Sequence, residues 1–417
     1  MRVVVQKFGG SSVVTPQQRR QAADRVREAL QEGFRVVVVV SAMGRAGDPY
    51  ATDTLLSLLP EGVDPDARER DMLAACGEVV AAVVLAHTLR AEGIPAVALT
   101  GRDAGIITDA NFGNARVRRV KPDAVVRHLE QGRVVVVAGF QGVTEDGQVT
   151  TLGRGGSDTT AAVLGAALGA EYVDIFTDVP GVFTADPRLV PDAAVLERLT
   201  FREIVEMAHS GAKVVHPRAV EIAMEHRIPL RIRPADGCSP GTLIAGPPSR
   251  RSPEFHVQLD RVVTGIAAVP GRTLFRLPAL DPGGMGPRAL ELFEGLGKNH
   301  VSIDMIDVSE EGIGFVVAQE DQGRSQRLMD GLGVEYRVLS GLTKVSVVGA
   351  GMHGVPGVMA RVARALCAAG AAVYATTDSH ANIACLVRTE DAARVVQALH
   401  DEFSLGAHQQ RTGGDGR

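Results

Sequence analysis

A chain of 417 residues exceeds the size at which one hydrophobic core stops growing, so two or three domains are expected. A hydrophobic content of 45 %, with 47 glycines and no Trp, describes an α/β protein rich in tight turns and excludes a disordered or fibrous one. The formal net charge of −5 carries no polyanion-binding signature, and the basic run from Arg116 to Lys121 lacks interleaved aromatics, so no nucleic-acid partner is expected.

From the N-terminus to about residue 245, short β-branched runs alternate with longer helical patterns, which predicts a mostly parallel sheet covered on both faces, a three-layer αβα domain over 1–245. Val3 to Val5, Val36 to Val40, Ala96 to Leu99, Val134 to Val137, Tyr172 to Phe176 and Leu230 to Ile232 read as strands. Between the first two lies a helix with Thr15 as N-cap, Pro16 at the first helical position and Gly33 as its stop. The Pro-, Ser- and Arg-rich stretch 246–261 reads as a linker. Beyond it, a βαββα pattern over 262–340 recurs over 341–404, predicting two copies of one small ferredoxin-like fold. Residues 405–417 are polar and Gly-rich and read as a flexible tail.

Cys76, Cys238, Cys367 and Cys385 are scattered without a CxxC pair or a His at ligand spacing, which suggests neither a zinc site nor a disulfide framework. A reducing compartment follows. The strand-like run after Met1 is too short for a signal-peptide core, and no apolar stretch is expected to reach the length of a membrane span, so a cytoplasmic protein without a membrane partner is anticipated.

Two glycine turns stand out. Lys7-Phe8-Gly9-Gly10-Ser11-Ser12 follows the first strand and precedes a helix, where backbone N–H groups can close on a phosphate and the ammonium adds a point charge. An ordinary turn is the competing reading. Thr151 to Thr160 packs three glycines, Arg154 and Asp158 into a second helix entry, a combination that packing alone does not justify. It suits a site with two anions, held by amides and Arg154 while Asp158 orients a cationic neighbour. A third stretch, Thr177 to Arg188, is a turn-rich loop after a strand, where ligands of such sheets sit.

There is no GxxxxGK[ST] and no HRD…DFG set, so neither the P-loop nor the protein-kinase route to ATP is supported. Gly349-Ala350-Gly351-Met352-His353-Gly354 matches GxGxxG, but too little chain follows it for a dinucleotide domain, and a nicotinamide enzyme is the second reading rather than the first. A catalytically dead amino-acid sensor is the third.

Lys7-Phe8-Gly9-Gly10-Ser11, Ser41-Ala42-Met43-Gly44, Gly77-Glu78, Gly139-Phe140-Gln141-Gly142, Thr151 to Asp158 and Thr184-Ala185-Asp186-Pro187-Arg188 together resemble the aspartate kinases, collinearly and over nearly the whole chain. The resemblance implies an amino-acid kinase fold followed by two ACT-like regulatory domains, with ATP and Mg²⁺ used to convert L-aspartate to 4-phospho-L-aspartate. It implies that Lys7 and Asp158 are catalytic, with Lys7 neutralising the transferring phosphoryl group and Asp158 positioning it. Phe8, Gly9, Gly10, Ser11, Phe176, Thr177, Asp178, Val182, Phe183, Asp186, Pro187, Arg188 and Lys213 correspond to nucleotide-binding positions. Ser41, Thr52, Glu78, Arg154, Gly155, Gly156 and Ser157 correspond to the aspartate-holding set, Glu78 on the α-ammonium and Arg154 on the α-carboxylate. No metal-ligating residue is assigned. The longer segment Arg45 to Thr52, and Thr377 to Ile383 in place of the usual Thr-Ser-Glu-Ile, resemble the diaminopimelate-responsive isozyme of Bacillus-type bacteria. The effector is accordingly diaminopimelate, lysine or threonine, and a homodimer or higher homo-oligomer is implied. No Met occurs from Glu225 to Gly284, which argues against a separate regulatory subunit from an internal start.

Overall fold

The computed structural model describes residues 1–60, 62, 65–212, 214–246, 262–349, 352 and 355–406, which form two compact units. The first comprises Met1–Val182, Val195–Ala208 and Lys213–His256, and the second Phe183–Ala194, His209–Ala212 and Val257–Arg417.

The first unit is built on an eight-stranded sheet in the spatial order Arg198–Leu199, Thr242–Ile244, Leu230–Pro234, Val173–Thr177, Val3–Phe8, Arg35–Val40, Val134–Ala138 and Ala96–Leu99. All neighbours are parallel except Leu230–Pro234 with Thr242–Ile244. Arg35–Val40 reads as an unbroken apolar run because both of its faces are covered, and Val36 to Val40 are buried without exception. Alternate side chains, Val36, Val38 and Val40, join Val4, Phe8 and Val136 under the helices Pro16–Gln31 and Cys76–Ala91. The helix Gly156–Leu168 also packs on this sheet, against Val3–Phe8 and Arg35–Val40.

The first helix starts where its sequence says it should: Thr15 and Gln18 form a reciprocal capping box, Pro16 takes the first position, and Gly33 follows at φ +84. A second sheet of four short strands, Val117–Val120, Ile106–Thr108, Gln141–Val143 and Val149–Thr151, has no counterpart in the sequence reading, since runs of three or four residues give no measurable alternation. The basic run forms its exposed edge, with Arg118 paired to Asp109 and Arg119 to Glu145.

One helical run, Ala67–Ala91, differs from the expectation about membrane spans: it is 25 residues long and holds an 18-residue window of mean hydropathy 1.9, enough to cross a membrane by length and composition. Its apolarity is that of a core helix, because Ala81, Ala82, Leu85, Ala86 and Leu89 fill the core beside the sheet.

The second unit holds one continuous antiparallel sheet of six strands in the order Ile303–Val308, Gly312–Ala318, Gly265–Pro278, Arg337–Val348, Asn382–Arg388 and Ala375–Asp378. The boundary anticipated between residues 340 and 341 falls inside Arg337–Val348. Two βαββα units are present, but interleaved: Arg272 to Pro278 serves the first unit, whereas Gly265 to Val269 pairs with Lys344 to Val348 and completes the second. Register shifts between Val269 and Arg272 and between Arg272 and Leu274 separate the two roles within one long strand. Among the described residues three apolar clusters result: one around the stacked Phe275 and Phe315 under the helix Pro287–Lys298, one around Val345, Val362, Val395 and Val396, and a smaller one of Leu274, Met305, Val316, Leu342 and Leu386.

The catalytic-domain boundary anticipated at residue 245 is also crossed. Phe183–Ala194 packs with the second unit: Ala185 and Val190 join its core, the Ile266 N–H donates to the Thr184 carbonyl at 2.7 Å, and Thr184 Oγ1 lies 3.0 Å from His400 Nε2. The anticipated linker, apart from Gly246, and the tail from residue 407 lie outside the described residues, as does most of the GxGxxG stretch.

Candidate active site

The first strand ends at Phe8 and passes through Gly9 into the short turn Gly10–Ser12. Gly10 is dictated by space: a Cβ there would stand 2.4 Å from the Ala42 carbonyl oxygen. The second turn is dictated by conformation as well, with Gly153 at φ +74 and Gly155 at φ +67, and a Cβ on Gly155 would meet the His216 ring at 2.2 Å. Gly155 begins the helix Gly156–Leu168 without any side-chain cap, so its first-turn N–H groups and the positive end of its dipole face the site.

These two turns meet. Lys7 Nζ lies 2.8 Å from Asp158 Oδ1, both side chains about seven-eighths buried at 13 % and 12 % exposure. Asp158 Oδ2 accepts the His216 main-chain N–H at 3.3 Å, which fixes the carboxylate between the lysine and the helix Pro217–Glu225. Lys7, Ser41, Thr52, Glu78, Arg154, Gly155, Gly156, Ser157 and Asp158 line one cleft of about 660 Å³, and Gly10 lines a smaller one of about 230 Å³ that shares Ser41, Thr52 and Glu78.

Glu78 enters from the helix Cys76–Ala91 and is 3 % exposed. Its Oε1 accepts the Ala42 N–H at 3.0 Å while the buried Oε2 has no hydrogen-bond partner among the described residues. Burial pushes its carboxyl up to about 7, against the pull of the Ala42 hydrogen bond. A half-satisfied buried carboxylate aimed into a cleft suits a cationic ligand group. Arg154 stands exposed at the lip of the same cleft, its guanidinium open to a planar anion.

The remaining sequence-derived positions divide by place. Phe8 and Phe176 are fully buried and stacked 4.6 Å apart, so their side chains support the glycine turn from beneath and only their main chain can reach a ligand. Thr177 and Asp178 follow at the end of Val173–Thr177, Asp178 pairing with Arg45 at 2.9 Å, and Val182 is buried. Phe183, Asp186, Pro187 and Arg188 belong to the second unit, where Arg188 holds the Asp186 carboxyl below its ordinary range through a 2.6 Å ion pair. Lys213 lies outside the described residues.

Sequence reasoning passed over Asp71, Asp53 and Arg70, which also line the cleft. The sequence carried no signal for Asp71: it closes the charged stretch Arg68-Glu69-Arg70-Asp71, of which only Asp71 is buried. A group of three metal-capable side chains, Asp192, His400 and Asp401, belongs to the second unit and has no place in the sequence reading.

The amino acid kinase family matches residues 2–234, and an ACT domain matches residues 345–403. Aspartokinase 1 of Bacillus subtilis is 44 % identical over 410 residues, covering 97 % of this chain and all of the relative, and Aspartokinase 2 of the same organism is 40 % identical over 418 residues, covering 98 % of this chain and 99 % of the relative. The crystal structure of E. coli aspartokinase III in complex with aspartate and ADP superposes with a TM-score of 0.77 at 28 % identity, covering 96 % of this chain and 99 % of that one. A family match over residues 2–234 and relatives 40–44 % identical along nearly the whole chain show that the protein belongs to the aspartokinases of the amino acid kinase family.

Proposed function

We infer that this chain catalyses the ATP-dependent phosphorylation of the side-chain carboxylate of L-aspartate, giving 4-phospho-L-aspartate, the entry to lysine, threonine, methionine and diaminopimelate synthesis. The observation that carries the reading is the 2.8 Å contact of Lys7 with Asp158 at the junction of two glycine turns. An ionised carboxylate needs no general base and no protein nucleophile, only approach to the phosphate and stabilisation of the migrating charge. Lys7 supplies that charge and Asp158 holds it in place. Gly9, Gly10 and Ser11 offer main-chain and hydroxyl donors to phosphate oxygens, and the closeness of Gly10 to Ala42 leaves room for nothing bulkier.

Aspartate is held at both ends of its amino-acid group: the Glu78 carboxylate takes the α-ammonium and the Arg154 fork takes the α-carboxylate. Ser41, Thr52, Gly155, Gly156 and Ser157 complete the lining, the helix N-terminus favouring the anionic end. Thr177, Asp178, Val182, Phe183, Asp186, Pro187, Arg188 and Lys213 are assigned to the nucleotide by likeness to the family. Mg²⁺ bound with the nucleotide would neutralise phosphate charge.

The enzyme is feedback-regulated by an amino acid through its ACT domains. E. coli aspartokinase III has been crystallised with lysine and aspartate in a T-state; here, Thr377 to Ile383 supports diaminopimelate as effector. A homodimer is the smallest assembly that pairs such regulatory sheets. Four free cysteines, Cys76, Cys238, Cys367 and Cys385, fit a cytoplasmic location.

A hydroxamate-trapping assay with ATP and L-aspartate tests the reading: acyl phosphate forms only with both substrates present. Absence of product at every effector concentration, including none, removes it.

A further inference from the structure

Asp71 is 2 % exposed in the helix Ala67–Ala74, and its carboxylate is the acceptor of three hydrogen bonds that leave this helix. Oδ2 accepts the main-chain N–H of Thr151 at 2.7 Å and that of Gly113 at 2.9 Å, and Oδ1 accepts the Thr151 hydroxyl at 2.8 Å. Packing does not call for a charge here, because burying a carboxylate costs several kcal/mol unless it is well hydrogen-bonded. The three donors provide that compensation and in doing so fix Thr151.

Thr151 ends the strand Val149–Thr151 and leads directly into the turn that carries Arg154. Asp71 and Glu78 stand two turns apart along the same helical run, Ala67–Ala91. One carboxylate therefore ties the helical run that leads into Glu78 to the segment bearing Arg154. Leu152 is clamped from elsewhere, its carbonyl accepting from Arg218 at 3.3 Å and its N–H donating to the Phe140 carbonyl at 2.8 Å, so the turn has little freedom left except along the direction Asp71 sets.

We propose that Asp71 is a positioning residue for aspartate: it sets the separation of Glu78 and Arg154, and with it the fit of the amino-acid end of the substrate. The inference rests on the reading that Glu78 and Arg154 grip the ammonium and the α-carboxylate. Asp71 lines the cleft, but its carboxylate is spent on Thr151 and Gly113, so its proposed effect runs through them.

The test uses the full-length enzyme and three variants, D71L, D71N and T151V, with R154A as the reference. Asn at position 71 retains the geometry: its amide oxygen takes both N–H donors and its amide nitrogen donates to the Thr151 hydroxyl. D71L raises the aspartate KM about tenfold and leaves the ATP KM within about twofold, while D71N stays within about threefold of the parent. T151V, which loses one of the three bonds, gives a smaller rise in the aspartate KM and decides the matter if D71L does not fold. The inference is overturned if R154A raises the aspartate KM and both D71L (when folded) and T151V leave it unchanged. It is overturned equally if D71L raises both KM values alike, which marks general damage, or if D71N is as impaired as D71L, which makes charge rather than geometry the cause. An unchanged aspartate KM in R154A removes the two-ended grip first, and this inference with it.

Discussion

Lys7 Nζ and Asp158 Oδ1 are 2.8 Å apart, one at the end of the first strand and the other in the first turn of the helix Gly156–Leu168, so the charge proposed to face the phosphate is placed by two elements rather than one. Lys7→Ala deletes it and is expected to lower kcat by about 100-fold or more, with a smaller effect on the aspartate KM. Steady-state kinetics at saturating ATP check this; near-normal turnover sinks the assignment. Asp158→Asn should also lower kcat, because the neutral amide no longer restrains the ammonium.

Glu78 gives the site a pH dependence. Its folded-state carboxyl is raised to about 7, above the ordinary 4.5, so the folded protein binds the proton more tightly than the unfolded one. The carboxylate's contribution to the stability of the free enzyme is therefore most favourable below the unfolded value and declines as pH rises from 4.5 to about 7. Glu78→Gln removes that decline and should make the free enzyme more stable at pH 8 by about 2–3 kcal/mol, measured by denaturant titration. The same variant should lose aspartate affinity, since the ammonium partner is gone. In the parent enzyme kcat/KM for aspartate should rise through an apparent value near 7 on the acid side, and a flat profile there would falsify the ammonium-binding role.

Arg154→Ala should raise the aspartate KM by about tenfold to 100-fold with a smaller change in kcat, because the fork holds ground state and transition state alike. Lys at the same position should rescue only partly: a point charge replaces two parallel donors. Equal KM values for aspartate in parent and variant would move Arg154 out of the substrate site.

Gly10→Ala is the smallest steric test. Its Cβ would press within 2.4 Å of the Ala42 carbonyl, and Ala42 is also the donor to Glu78. Both ATP and aspartate KM should therefore rise together, with a loss of stability of about 1–3 kcal/mol. A variant with parental kinetics would mean that the turn relaxes freely.

For regulation, titrating diaminopimelate, lysine and threonine separately into the full-length kinase assay should show inhibition by diaminopimelate at the lowest concentration. A stronger response to lysine or threonine overturns the reading of Thr377 to Ile383.

Long, doubly covered strands were legible in the sequence because burial on both faces demands continuous Val and Ile, as in Val36 to Val40, and the first helix was legible because Thr15, Pro16 and Gly33 each have a local stereochemical job. The Lys7 and Asp158 turns were legible for a similar reason, since glycine runs beside charge have few packing explanations. Asp71 was not, because at the end of Arg68-Glu69-Arg70-Asp71 it looks like more solvent-facing polarity until its three donors are seen. Nor was the allegiance of Phe183 to Ala194 to the second unit, which turns on the contact of Thr184 with His400, 216 residues away. Local periodicity does not encode such pairings.

The two roles of the strand Gly265–Pro278 have a consequence for how the chain can be made and cut. During synthesis, Gly265 to Val269 emerges well before its partner at Lys344 to Val348, so the C-terminal sheet closes only late, and the earlier segment waits as an open edge able to pair with a neighbouring chain. A fragment begun downstream of Val269, or ended before Lys344, would leave that edge permanently bare and should aggregate, whereas one begun near Val262 and carried through Gly406 keeps the strand pairing but lacks Phe183–Ala194, whose Ala185 and Val190 belong to its core.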